Sequence, residues 1–261
     1  HHESRALAMT VFKSALKPFE WQFQRHLHKA IKDPVLRAKL TPDYPLGCKR
    51  ILISNEYYET LARPNVDVVT DNIAEVTATG IRTKDGQEHP VDAIIYGTGF
   101  QATDFLAPMK ITGRDGVDLN QVWRDGAEAY LGMTVSGFPN LFLLYGPNTN
   151  LGHNSIVYML ESQFSYILDA VKTLQQRDLR FVDVRSQVQG VYNRWVQKQI
   201  KNTIWDAGCT SWYKTASGKN TNNWPGFTLV YRYKTRHFDS QDYELAVKSA
   251  QAVSPLQVVA A

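Results

Sequence analysis

Lys49 and Arg50 stand between a proline-rich loop and a short apolar run, where a chain connection can present a cation to a cleft. Arginine is always charged, planar and able to donate in two directions, so Arg50 suits an oxyanion or a flat amide. The competing reading is a solvated pair at a strand edge. Residues 92–100 read Asp-Ala-Ile-Ile-Tyr-Gly-Thr-Gly-Phe, an apolar run ending in the turn Gly97-Thr98-Gly99. Glycine there allows backbone conformations closed to other residues, or lets another group come within van der Waals distance. A strand ending in a tight turn is the plain alternative. Residues 146–155, Gly-Pro-Asn-Thr-Asn-Leu-Gly-His-Asn-Ser, lead from a second apolar run into a long helical pattern. The start of such a helix offers free N–H groups to negative charge; otherwise the stretch is an ordinary connection capped by Asn or Ser.

Other residues are less specific. His153 has the ordinary pKa, near 6.5, of a proton-transfer group. His26 and His28 have no partners at metal-ligand spacing and read as surface side chains, so no metal site is expected. Trp212 suits either a ligand contact or a packed core. At 230–236 an alternating run puts Arg232, Lys234 and Arg236 on one face of an expected strand and Tyr231 and Tyr233 on the other. Such a face can bind single-stranded nucleic acid, but a solvated face is the commoner outcome, and no nucleic-acid partner is expected.

These residues need a scaffold. Phe12, Leu16, Phe19, Phe23, Leu27 and Ile31 recur at three- or four-residue steps, broken by Pro18, which predicts two helices with one buried face. Asp33-Pro34 restarts a turn, and 41–47 form a proline-rich connector. From Lys49 the texture becomes strand-like: 51–54, 66–69, 74–77, 81–83 and 93–96, with a hairpin turn at Lys84-Asp85-Gly86-Gln87. A further apolar run spans 141–145. Leu160, Phe164, Ile167, Leu168, Val171 and Leu174 form the stripe of a long amphipathic helix; 181–184 reads as a strand, and Val188, Tyr192, Trp195, Val196 and Ile200 as another helix.

The chain has 261 residues, 43% hydrophobic, enough for a sizeable core in one or two domains. With 29 basic against 25 acidic residues, charge alone does not imply nucleic acid. No apolar run approaches the roughly 18 residues of a membrane span. Cys48 and Cys209 are too few and too far apart in sequence for a disulfide framework or a zinc site, which points to a reducing, cytoplasmic compartment. The His1-His2 start has neither an initiator Met nor a signal-peptide layout, as expected of either an engineered start or a truncated chain.

Cys48-Lys49-Arg50-Ile51, Asn55-Glu56-Tyr57-Tyr58-Glu59 and Arg63-Pro64-Asn65-Val66 together resemble the Baeyer-Villiger monooxygenase family. The resemblance continues through Gly99-Phe100, Tyr130-Leu131-Gly132-Met133, Gly137-Phe138-Pro139-Asn140, Gly146-Pro147-Asn148, Ser211-Trp212-Tyr213 and Trp224-Pro225-Gly226. It implies FAD and NADP as cofactors, molecular oxygen as co-substrate, and conversion of a ketone to an ester through a C4a-peroxyflavin. Oxygenation of nitrogen or sulfur, or a fragment unable to hold FAD alone, are the alternatives. On this resemblance Arg50 stabilises the anionic peroxyflavin and contacts the nicotinamide, Lys49 lies near the 2′-phosphate of NADP, and Gly97, Thr98, Gly99, Asn148 and Trp212 bind cofactor. Leu151, Gly152, His153 and Asn154 would line the substrate pocket, His153 as a lining residue because the family carries apolar or small residues there. After Tyr213 the stretch from Lys214 to Lys219 departs from the family's usual loop.

A two-dinucleotide oxygenase holds each pyrophosphate on a glycine-rich strand-turn-helix. No Gly-x-Gly-x-x-Gly occurs in these residues, and the family's Phe-x-Gly-x-x-x-His-x-x-x-Trp signature is absent too. The implied fold is therefore α/β, a partial two-dinucleotide-binding-domain flavoprotein, three-layer and Rossmann-like, with an N-terminal helical insert. Residues 1–45 would be the insert and linker, 46–92 the C-terminal part of the NADP domain, and 93–261 the C-terminal part of the FAD domain. The implied partner is the missing N-terminal half.

Overall fold

The computed structural model describes residues 2–10 and 13–248. Three helices open the chain: α1 (His2–Thr10), α2 (Lys17–Ala30) and α3 (Pro34–Leu40). Pro18 sits in the first turn of α2, where its missing N–H costs no bond. Asp33 caps α3 by accepting from the Val35 amide at 2.9 Å. Of the expected buried positions, Leu16, Leu27 and Ile31 are buried, whereas Phe19 is exposed and Phe12 lies outside the described residues. A short α4 (Tyr57–Leu61) packs Tyr58 against Phe23 and His26.

The hairpin expected at Asp85-Gly86 is present. β1 (Ile73–Val76), β2 (Gly80–Thr83) and β3 (Glu88–Pro90) form an antiparallel meander. Gly80 is required there, because a Cβ would stand 2.1 Å from the His89 carbonyl oxygen. Glu88 accepts from the hydroxyls of Thr77 at 2.7 Å and Thr79 at 2.9 Å, and from Arg82 at 3.0 Å. These donors favour the ionised form and lower its pKa from 4.5 to about 2, the Thr77 bond contributing most. A depressed carboxylate contributes stability that is complete above about pH 4.5 and lost as pH falls through about 2. Amide exchange in β2 and β3 is thus expected to accelerate over that window, and Glu88→Gln to remove the acid dependence.

Four expected strands find no ladder partner among the described residues. Segments 51–54, 66–69 and 93–96 run without regular pairing, and 141–145 makes only isolated bonds such as Leu143 N–H to the Met133 carbonyl at 2.8 Å. A β-branched run becomes a strand only when a neighbouring chain accepts its hydrogen bonds. The apolar side chains of 51–54 and 93–96 are consequently bare, Ile53 93% exposed and Ile95 95%, whereas Leu143 is buried in a second cluster with Trp123 and Phe138.

The main core gathers around α6 (Ile156–Gln176), β4 (Leu179–Val184), α7 (Ser186–Ile200), α8 (Thr228–Lys234) and β5 (Tyr243–Val247), preceded by a small α5 (Leu119–Val122). β4 pairs with β5 antiparallel, and Met159, Tyr166, Val182, Val196, Trp224 and Tyr243 pack in one cluster. Tyr166 and Tyr243 share a hydroxyl contact at 3.0 Å, and burial pushes the Tyr243 phenol up to about 12. Two expectations change here. Residues 228–234 form a helix, not a strand: Thr228, Tyr231 and Thr235 are buried at helical spacing, which outweighs the alternating charge pattern. Its cations diverge, Arg232 onto the Tyr158 ring, Lys234 onto Trp195 and Arg236 onto Tyr233, so they share no basic face.

Helix α6 also turns differently from the apolar stripe. Its buried residues are Met159, Ser162, Gln163, Tyr166 and Ala170, while Phe164 and Leu168 are exposed. Buried Gln163 is tolerated because it donates to the Tyr231 hydroxyl at 3.0 Å and accepts from the Tyr145 amide at 3.0 Å. The two cysteines are also paired: Cys48 and Cys209 form a disulfide with Cα atoms 6.3 Å apart. Distance in sequence does not limit distance in space, and this separation lies within the bonding range. No described helix is long and apolar enough to cross a membrane.

Candidate active site

The loop at 146–155 is built by close approach and amide pairing. A Cβ on Gly146 would lie 2.3 Å from the Gly132 carbonyl oxygen. Backbone bonds then zip the loop to 220–224: the Asn148 amide to the Thr221 carbonyl at 2.8 Å, the Asn150 amide to Asn222 at 2.9 Å, and the Trp224 amide to Asn150 at 2.9 Å. Asn148 itself is buried, with Nδ2 donating to the carbonyls of Asn220 and Asn223 and Oδ1 lacking a partner among the described residues. It stands at φ +58°, a left-handed conformation that asparagine tolerates. Tyr145 adopts φ +57°, which a bulky side chain takes only when its surroundings impose it. Gln163 holds its amide and Asn150 Oδ1 accepts from its hydroxyl at 2.9 Å.

Arg50 meets this loop at its far end. Its Nη1 donates to the Leu151 carbonyl at 3.4 Å, and the phenols of Tyr145 and Tyr213 lie near enough to feel its charge. Burial pushes both phenols up, and the nearby charge of Arg50 pulls them partly back. No carboxylate pairs with Arg50 among the described residues. The guanidinium is thus a fixed, uncompensated cation, as an anion-stabilising group must be. Lys49 points elsewhere, its Nζ 4.1 Å from the centre of the Tyr44 ring.

The remaining expected residues are spread over several surroundings. Leu151 and His153 are buried, His153 stacking on Trp205 with ring centres 6.2 Å apart. Gly152 abuts Trp205, and Asn154 Nδ2 donates to the Thr228 hydroxyl at 2.8 Å. Trp212 is half exposed and packs on Tyr213, with centres 4.4 Å apart. Gly97, Thr98 and Gly99 are exposed, and a Cβ on either glycine would meet nothing within 4 Å. The cavity lined by Met9, Gly47, Lys49, Arg50, Gly152 and Tyr213 holds about 60 Å³, well below the roughly 300–1,000 Å³ of a small-molecule site. No described group of His, Cys, Asp or Glu has metal-site geometry.

Tyr145, Tyr213, Trp205 and the amide run at 220–223 are the participants that sequence reasoning left unassigned. The position of Tyr145 directly before Gly146-Pro147-Asn148, and three asparagines within four residues before Trp224, were the available signals. Residues such as these gain roles only through contacts remote in sequence.

No family model matches the chain. It is 49% identical over 254 residues to a Baeyer-Villiger monooxygenase of Pseudomonas aeruginosa, covering 97% of this chain and 48% of that protein. A Baeyer-Villiger monooxygenase of Streptomyces coelicolor is 44% identical over 93% of this chain and 47% of its own length. Among solved structures, OTEMO in complex with FAD and NADP superposes with a TM-score of 0.81 at 28% identity, covering 92% of this chain and 46% of that one. Cyclohexanone monooxygenase from Rhodococcus sp. Phi1 bound to NADP+ gives 0.80 at 26% identity over 93% of this chain and 47% of its own. The chain therefore spans about half the length of the relatives it matches. Identity at this level along nearly the whole chain, together with the shared fold, means that the chain belongs to the Baeyer-Villiger monooxygenase family.

Proposed function

We propose that this chain is the C-terminal half of an FAD- and NADPH-dependent oxygenase that converts a ketone to an ester with molecular oxygen. The observation that carries the reading is Arg50, a guanidinium with no carboxylate partner among the described residues, anchored on the Leu151 carbonyl near the phenols of Tyr145 and Tyr213. Bound flavin, reduced by NADPH, would supply the oxygen-activating chemistry. Arg50 would hold positive charge where negative charge develops, keeping the nucleophile deprotonated. Lys49 would meet the 2′-phosphate of NADP, and Trp212 would contact NADP. Gly97, Thr98 and Gly99 would let the cofactor approach the backbone closely, a role suited to glycines whose missing Cβ faces open space. Asn148 would present its loop from behind, and Leu151, Gly152, His153 and Asn154 would form one wall of a ketone pocket whose other walls lie outside this chain.

The completing partner is, on this reading, a segment carrying the absent glycine fingerprints. Unpaired apolar edges at 51–54 and 93–96, and the exposed Phe164 and Leu168 of α6, call for covering strands and helices. Supplying them would turn the edges into Rossmann-like sheets with helices on both faces, divided at 1–45, 46–92 and 93–261. A cytoplasmic setting is proposed on the family resemblance alone, because the Cys48–Cys209 bond removes the cysteine-based ground for a reducing compartment.

Titration with FAD tests it. The chain alone is expected to leave flavin fluorescence unquenched, and addition of the fingerprint-bearing half of a relative to produce stoichiometric quenching. Tight binding by the isolated chain would overturn the half-site reading, and no quenching by the pair would overturn the flavin reading.

A further inference from the structure

Cys48 directly precedes Lys49 and Arg50, and Cys209 directly precedes the stretch Thr210-Ser211-Trp212-Tyr213. Their disulfide joins points 161 positions apart in sequence. Apart from the Arg50 bond to the Leu151 carbonyl, little else holds the first stretch. Beyond Arg50 the chain runs exposed and unpaired, and among the described residues no backbone hydrogen bond joins 47–53 to 204–214. What crosses besides the disulfide is the packing of Gly47 near Ile204 and the approach of Arg50 to Tyr213. A segment with so few buried contacts opens readily when its one covalent tie is cut. Cys48 is fully buried, but Cys209 is only partly so and sits between exposed Gly208 and Thr210, which gives a reductant a way in.

We propose that the Cys48–Cys209 bond is a reducible tether that positions Arg50 against the Trp212–Tyr213 loop, so that thiol–disulfide exchange switches the candidate active site between a held and a released form. The tether stands on geometry alone; only the consequence for turnover rests on the oxygenase reading. A dithiol would attack the Cys209 sulfur as thiolate, breaking the S–S bond and releasing Cys48 as a thiolate that takes up a proton. The second thiol of the reductant then displaces Cys209, so two electrons pass to the protein and the reductant leaves as a cyclic disulfide. Hydrogen peroxide reverses the change: one thiolate is oxidised to a sulfenic acid, which the other thiol condenses to the disulfide, with two waters formed overall.

The test is hydrogen exchange on the chain before and after dithiothreitol, with free thiols counted in parallel. Two thiols should appear on reduction, and the hydrogen-bonded amides of the two segments, those of Cys48, Tyr213 and Lys214, should exchange at least tenfold faster, while β4 and α7 stay unchanged. Peroxide should restore the slow pattern, and the Cys48→Ser/Cys209→Ser double variant should show the fast pattern without reductant. Two free thiols before reduction, unchanged exchange, or faster exchange throughout the core would each overturn the tether. In the protein completed by its other half, kcat/KM for NADPH should fall at least fivefold on reduction and recover with peroxide; an unchanged value overturns the positioning role. Absence of any turnover there would count against the oxygenase reading, leaving the exchange data to decide the tether.

Discussion

Arg50→Ala is expected to leave FAD bound to the completed protein and to abolish detectable ester formation from ketones. Loss of one preorganised donor to a developing anion costs about 10²–10³ in kcat, and here the whole charge goes with it. The reason lies in the surroundings: among the described residues no carboxylate neutralises this guanidinium, and the Leu151 carbonyl orients it. The side chain is exposed and makes little packing, so the melting temperature should hardly move. Arg50→Lys keeps a charge but loses the flat, two-directional donor and should recover only part of the rate. Product analysis with flavin absorbance on the same samples checks both halves of the expectation. Ester formation at the wild-type rate would remove Arg50 from the catalytic role.

Gly146→Ala is expected to have the second large effect, through the loop and not through the chemistry. The new methyl would stand 2.3 Å from the Gly132 carbonyl oxygen, a backbone atom that cannot swing aside. Relief requires moving the start of the loop, whose amides are committed to 220–224. Overpacking of this kind costs about 1–3 kcal/mol, which in a chain of this size lowers the melting temperature by several degrees. The same shift carries Asn148 to Asn154 away from their positions, so flavin affinity in the completed protein should fall at least tenfold. Gly97→Ala provides the contrast. Its Cβ would meet nothing within 4 Å among the described residues, so stability should be unchanged and only cofactor binding should suffer. Equal melting temperatures for Gly146→Ala and wild type would refute the close-approach argument.

Local signals carried much of the structure. The Asp85-Gly86 hairpin, the long helix after Ser155 and the strand and helix that follow it depend on turn chemistry and periodicity within a few residues, and each stands where those patterns put it. Arg50, set between a proline-rich loop and an apolar run, was legible as a presented cation for the same reason. Other elements depended on partners. The apolar runs at 51–54 and 93–96 have strand composition, yet they remain unpaired because a strand is completed by another chain's hydrogen bonds. The buried face of α6 was decided by Tyr231, Tyr145 and β4, which made room for Gln163 and left Phe164 outside. Residues 228–234 coiled because Thr228, Tyr231 and Thr235 share one face against that helix, whatever the alternation of their charges. Composition and spacing thus determined which residues could do chemistry and which segments were helix or turn. Only the tertiary structure joined Cys48 to Cys209 and set Tyr145 and Tyr213 beside Arg50, because those contacts link positions up to 163 residues apart, beyond the reach of any local pattern.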